Sequence, residues 1–171
     1  DEMNLLTTMI DNSINDYATA LFREINGAAG LSSYLQQIDV SGLEPDNDSW
    51  GYSLITPHTM VNLLTQLYKG TILTASDRST ALSLMQNIES DQQWGVGDTA
   101  PKGATVSMKN GWLPGPDGLW TVNSSGIVNV GDETYIISVY SQEQASLANG
   151  QSIVQTVCGD VTSAFVEHKV S

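Results

Sequence analysis

The sequence is poor in cationic side chains, with six lysines and arginines against 19 aspartates and glutamates and a net charge of −13 at pH 7. Binding to a phosphate backbone needs clustered cations, so this composition argues against a nucleic-acid partner. It argues equally against adsorption to an anionic membrane surface. Apolar runs stay far shorter than the roughly 18 residues of a membrane helix, so we expect no membrane span within the chain.

Cysteine and histidine are scarce as well. Cys158 is the single cysteine, which excludes an internal disulfide and fits either a reducing compartment or a bacterial exterior where disulfides are sparse. A buried, inert thiol is the expected state of Cys158. The two histidines, His58 and His168, are too few for a histidine-built metal site, and no ligand spacing is present. We therefore expect neither a metal nor a cofactor.

The chain contains a helix-rich part followed by a strand-rich part. Apolar residues repeat at helical spacing up to about residue 88, and Ser76 or Asp77 is the expected cap of the last of these helices. From residue 104 the pattern changes to three strands, ATVSMKNGWLP, LWTVNSSGIVNV and TYIISVYSQ, joined by turns. This order predicts an α+β fold in a single domain, with a helical lobe at 1–100 and a sheet with a C-terminal helix at 101–171.

A final helix is expected from about Leu147 to Lys169. Its apolar residues at helical spacing predict which face packs against the sheet. Those residues are Ile153, Val157, Val161, Ala164 and Phe165.

Two short polar motifs lie about a hundred residues apart. Ser13-Ile14-Asn15 falls near a helix junction, and Lys109-Asn110-Gly111 falls on the first strand of the meander. Serine and asparagine also favour turns and helix caps, and a lysine can protect an edge strand from unwanted pairing, so each motif has a purely structural interpretation. The four tryptophans, Trp50, Trp94, Trp112 and Trp120, could line a carbohydrate-binding surface or the walls of a core or pocket.

In their order and context the two motifs resemble S-x-N and K-T-G, the second and third motifs of the penicillin-recognising serine hydrolases. The stretches MIDNSINDYATALF, WGYSLITPHTMVNLLTQLYKG and KNGWLPGPDGLWTVNSSGIV resemble class A β-lactamase-like proteins, and the resemblance covers nearly the whole chain. It implies a cleft between a helical lobe and an antiparallel sheet. It also implies acyl transfer on β-lactams or cell-wall peptides by an extracellular or cell-surface bacterial protein.

The resemblance also implies roles for individual residues. Ser13 would relay a proton, Asn15 would anchor substrate and the neighbouring lysine, and Lys109 would supply positive charge. Gly111 would let substrate approach the strand closely, and the backbone N–H of Trp112 would donate to the oxyanion. We therefore expect the Ser13 hydroxyl and the Lys109 ammonium to face one cleft.

The sequence also departs from the family pattern. No S-x-x-K occurs in the 171 residues. The amide of Asn110 replaces the carboxylate-binding threonine hydroxyl of K-T-G, and Ser125 stands where the family often has a carboxylate-binding arginine, so the resemblance places both in the substrate-binding site. Glu44 lies near the position of the deacylating glutamate but lacks the E-x-x-x-N spacing. The resemblance thus implies that the nucleophile helix and the first two strands are not in this chain, which alone should be inactive. A non-catalytic extracellular binding module on the same scaffold is the alternative.

The last strand carries a further expectation. In the family it pairs with a strand from the N-terminal segment, so here Ile136, Ile137 and Val139 are expected to face water. The expected partners are therefore the missing N-terminal segment or a swapped protomer, besides a β-lactam or cell-wall peptide ligand.

Overall fold

The structure, a computed structural model, describes residues 2–168, except for the side chain of His168. The chain forms two compact units that divide between Asn87 and Ile88. The first unit is built mainly of helices and the second of a sheet with a long helix, which confirms the α+β fold class. No helix among the described residues is both long and apolar enough to cross a membrane.

The first unit contains five helices and one short strand pair. Its helices are α1 Glu2–Asp11, α2 Asn15–Glu24, α3 Gly27–Gln37, α4 Pro57–Lys69 and α5 Ala75–Gln86. Strands β1 Leu43–Glu44 and β2 Leu54–Ile55 pair antiparallel and enclose a 3-10 turn at Trp50–Tyr52. The sequence did not predict this strand pair, because two-residue strands carry no periodic signal.

Caps define the helix boundaries in this unit. The Thr56 side chain accepts a hydrogen bond from the Thr59 N–H, with Pro57 in the first turn, and Gly70 ends α4 in the left-handed conformation. For α5 the expected cap was wrong, because Thr74 takes this position and accepts from the Asp77 N–H. Several polar residues in a row offered equally good caps, and only the backbone path selects one of them.

The second unit is a three-stranded antiparallel sheet covered on one face by a helix. Its strands are β3 Thr105–Pro114, β4 Trp120–Val130 and β5 Glu133–Gln144, in the order β3-β4-β5, with a short helix α6 Val96–Thr99 before them and α7 Leu147–His168 after them. The three strands confirm the predicted meander. The core beneath α7 comprises Ile88, Val96, Met108, Val122, Val128, Ile137, Val139, Val154 and Cys158.

The buried face of α7 differs from the predicted one except at Phe165, whose ring packs against Tyr135 on β5 with ring centres 4.4 Å apart. Ile153, Val157 and Val161 are 39–41% exposed, whereas Val154 and Cys158 are fully buried and Thr162 is nearly so. The two stripes are one residue apart, and both have helical spacing. The stripe that packs begins at Gly150, where an added Cβ would come within 2.4 Å of Val122. Small residues on this stripe let the helix approach the sheet closely. The predicted end of the helix, Lys169, lies outside the described residues.

The prediction that Ile136, Ile137 and Val139 on β5 face water is wrong for the last two. Ile137 is 4% and Val139 is 9% exposed, because their side chains point to the face that α7 covers. Within the described residues, β5 pairs along one edge only, with β4. The backbone groups of its other edge therefore have no partner strand there.

Candidate functional site

Lys109 lies in the middle of β3 and pairs in register with Ser125 on β4. Its Nζ donates to the Asn110 carbonyl oxygen at 3.0 Å and lies 6.0 Å from the centre of the Trp112 ring. Burial lowers the pKa of Lys109 from 10.5 to about 8. A half-buried ammonium with a pKa of about 8 can attract a carboxylate and can also exchange a proton.

Asn110 points to the opposite face of β3, as strand alternation requires. It is 4% exposed, and its Nδ2 donates to the carbonyl oxygens of Gln92, at 2.8 Å, and Trp94, at 2.9 Å. Its Oδ1 is buried without a hydrogen-bond partner. The Asn110 amide therefore fastens the segment before α6 to the sheet and does not share the face of Lys109.

Gly111 and Trp112 continue β3 towards its end. Gly111 pairs with Asn123, and an added Cβ would lie 2.9 Å from the Asn123 amide nitrogen, so the position favours glycine. Trp112 is 36% exposed and packs against Trp94, with ring centres 6.0 Å apart and planes inclined by 57°. Since β3 is an edge strand among the described residues, alternate N–H groups along it point away from β4.

Ser125 belongs to a partly buried cluster of hydroxyl groups. Its Oγ lies 2.7 Å from the Ser138 Oγ on β5, and it also hydrogen-bonds the Tyr140 hydroxyl. Burial raises the pKa of Tyr140, and the bond to Ser125 opposes this shift. Ser138 and Tyr140 were missed by the sequence analysis. Their alternation on β5 was the available signal, because both share the face of Lys109.

Ser13 and Asn15 lie in the first unit, at the junction of α1 and α2. Ser13 adopts the left-handed conformation at φ 57°, and Asn15 is the first residue of α2. At the end of α1, burial raises the pKa of Asp11, whose Oδ1 is buried without a hydrogen-bond partner. The strained backbone at Ser13 separates two helices that the sequence predicted as meeting at a turn. The shared cleft of Ser13 and Lys109 stays a prediction.

Among residues 2–168, no group of three or more histidine, cysteine or acidic side chains is arranged to hold a metal ion. Glu44 is exposed on β1, opposite Leu54. The groups that the site on β3 to β5 offers a ligand are the desolvated lysine, the hydroxyl groups around Ser125 and the N–H donors at the edge of β3.

The comparison with known protein families identifies the family. Residues 3–167 match the model of the β-lactamase enzyme family, and the chain belongs to that family. No curated protein matches the chain.

Solved structures with the same fold include the TLA-3 extended-spectrum β-lactamase, with 20% identity and a TM-score of 0.84 over 96% of this chain and 64% of that one. A class A β-lactamase from Bacteroides cellulosilyticus DSM 14838 is 19% identical, with a TM-score of 0.77 over 94% of this chain and 64% of that one. PBP-A is 20% identical, with a TM-score of 0.81 over 97% of this chain and 62% of that one. The chain thus spans 62–64% of the length of these proteins, and the likeness shows the fold.

Proposed function

We propose that these residues form part of a β-lactamase-like serine hydrolase that transfers or hydrolyses acyl groups of β-lactams or cell-wall peptides. The observation that carries the proposal is Lys109. A lysine kept half-buried on an edge strand, with its pKa lowered to about 8, costs stability, and such costs are typical of functional sites. In this family the lysine of the K-T-G motif supplies positive charge to the substrate, and Lys109 occupies the corresponding position on β3.

In the proposed reaction, the nucleophilic serine of an S-x-x-K motif is supplied by sequence outside these 171 residues. Its hydroxyl oxygen attacks the carbonyl carbon of the substrate, and its proton passes through the Ser13 hydroxyl to the departing amine. Lys109 supplies positive charge for a substrate carboxylate. Asn15 anchors the substrate amide, and the Trp112 N–H stabilises the oxyanion.

A second function is favoured by Asn110. In the K-T-G motif, a threonine hydroxyl binds the substrate carboxylate, and here the amide at that position bonds to the carbonyl oxygens of Gln92 and Trp94. Together with Ser125 at the arginine position, this leaves fewer groups to hold a carboxylate. The alternative is a non-catalytic binding module that kept the scaffold. Either form would act outside the cytoplasm of a bacterium.

The proposed partner in the fold is a segment of the same protein or a swapped protomer. It would pair with the outer edge of β5 and cover the exposed stripe of Ile153, Val157 and Val161 on α7. An exposed apolar stripe and an unpaired strand edge are each the kind of surface that another chain covers.

The test is acylation of the complete protein that the open reading frame encodes. We expect a fluorescent penicillin to label the serine of an S-x-x-K motif covalently, and Lys109→Ala to slow labelling by about a hundredfold, as loss of one charge-stabilising group does. Lys102→Ala, at an exposed lysine before β3, is the matched control and should leave the rate unchanged.

Two outcomes separate the alternatives. If the open reading frame contains no S-x-x-K, or the complete protein binds penicillin without a covalent adduct, the binding module replaces the enzyme. If Ser13→Ala and Lys109→Ala slow labelling in an additive way, the two residues do not act in one cleft, since groups that act as a unit are strongly non-additive.

A further inference from the structure

A polar groove lies in the second unit, between the segment that leads into α6 and the first half of α7. It is lined by Asp91, Trp94, Asp98, Gln151, Ser152 and Gln155 and has a volume of about 370 Å³. This volume is at the lower end of the usual range for small-molecule sites, about 300–1,000 Å³. The groove is open to solvent, so it suits a unit of a longer chain better than a small molecule that must be enclosed.

One wall of the groove is fastened to the sheet. The Trp94 carbonyl oxygen accepts from the Asn110 Nδ2 at 2.9 Å, and the Val96 N–H donates to the Ser124 Oγ at 3.0 Å. Between them Gly95 has φ 80°, and an added Cβ would come within 2.5 Å of Ser124. These contacts fix the backbone on both sides of Trp94, and its indole packs against the core and against Trp112, with ring centres 6.0 Å apart. A rigid aromatic surface binds at low entropic cost.

The other wall is fastened as firmly. At Gly150, just before Gln151 and Ser152, α7 lies so close to Val122 that no Cβ would fit. The Oε1 of Gln155 accepts from the Gly95 N–H, which joins the two walls. The oxygen end of that amide is thereby occupied, so the nitrogen end, with two N–H donors, is the one that can serve a ligand.

The mixture of groups in the groove selects the chemistry of the ligand. Asp91 and Asp98 would repel a phosphate or a carboxylate. A protonated amine carries only donors, so it would satisfy the two carboxylates but not the amide N–H groups of Gln155, whose oxygen is already occupied. Sugar hydroxyl groups donate and accept together, and the apolar C–H face of a pyranose ring can pack on an indole.

We propose that this groove binds pyranose units of a neutral oligosaccharide, with a ring packed on Trp94 and its hydroxyl groups bonded to Asp98, Gln151 and Ser152. This site lies within the second unit, and its binding does not depend on acyl transfer. It also gives one of the four tryptophans the carbohydrate-binding role that the sequence left open.

The test is an NMR titration of the complete chain, with the Trp94 indole N–H signal identified by Trp94→Phe. The probes are the trimers of N-acetylglucosamine and of glucose, and we expect at least one of them to shift that signal saturably. Asp98→Asn and Ser152→Ala should each weaken binding about fivefold, the effect of one hydrogen bond. Asp160→Asn and Ser163→Ala, exposed and farther along α7, are the matched controls and should bind as the unaltered chain does.

Three results would overturn the proposal. The first is a Trp94 signal that does not move with either trimer at about 10 mM, a concentration that detects millimolar affinity. The second is equal weakening by the substitutions in the groove and by the controls. The third is saturable binding of 1,5-diaminopentane at Trp94 without binding of the sugars, which would assign the groove to an amine. Dispersed amide spectra of the four variants exclude loss of the fold as the cause of weakened binding.

Discussion

Replacing Lys109 with methionine should change how the stability of the protein depends on pH. Methionine keeps the length and the apolar stem of the side chain but cannot be protonated. In the folded protein the pKa of Lys109 is lowered to about 8 by burial, against 10.5 for the ordinary side chain. The folded state therefore disfavours the ammonium, and the unfolded chain binds one more proton between these two values.

The sign of the effect follows from proton linkage. Stability rises with pH wherever the unfolded state binds more protons, so the cost of Lys109 is fully present below pH 8 and disappears towards pH 10.5. The difference between the two pKa values corresponds to about 3 kcal/mol in the free energy of unfolding. Between pH 7 and pH 9.5 we expect the advantage of Lys109→Met over the unaltered protein to shrink by about 2 kcal/mol.

Three other groups titrate in the alkaline range with the opposite sign. Burial raises the pKa of Cys158 to about 11 and also raises the pKa values of Tyr135 and Tyr140, so all three stabilise the fold less as the pH rises. All three remain in Lys109→Met, and their contributions cancel when the two proteins are compared at the same pH. The difference between the two curves therefore reports Lys109 alone.

The assay is urea unfolding of both proteins at several pH values from about 7 to 9.5, followed by tryptophan fluorescence and circular dichroism. Lys102→Met, at the exposed lysine before β3, is the control and should follow the curve of the unaltered protein. A difference between Lys109→Met and the unaltered protein that stays constant within about 0.5 kcal/mol, the error of such measurements, would refute the desolvation of Lys109.

Three further outcomes are expected. Asn110→Ala should lower the free energy of unfolding by about 2–3 kcal/mol, since it removes two buried hydrogen bonds, whereas the exposed Asn62→Ala should change it little; equal effects in urea unfolding would contradict the role of Asn110. Cys158, with a pKa raised to about 11, should react with iodoacetamide at pH 8 only after denaturation, and rapid labelling of the native chain would show the thiol to be accessible. The 171-residue chain should show no covalent penicillin adduct by intact mass, and a stoichiometric adduct would make Ser13 the first suspect.

Some of the candidate site could be predicted because it depends on residues close together in sequence. Strand alternation places Lys109 and Asn110 on opposite faces of β3, a consequence of sequence position that the resemblance to K-T-G did not take into account. The burial of Asn110 and its two hydrogen bonds could not be predicted, because the carbonyl oxygens that accept from it lie 16 and 18 residues earlier in the chain. The bonds of Ser125 to Ser138 and Tyr140 likewise depend on the register between β4 and β5.

The sequence by itself determined the order of the long helices and of the three strands of the meander. The break at Ser13, the Thr56 cap, the Gly70 stop and the turns of the meander act over a few residues, and local chemistry is sufficient to predict them. Only the tertiary structure decided which stripe of α7 packs, since both have helical spacing. The stripe that contains Gly150 and Cys158 packs because its small side chains let α7 approach the sheet closely. Periodicity can be seen in the helix sequence, whereas close packing depends on the side chains of the sheet that face the helix.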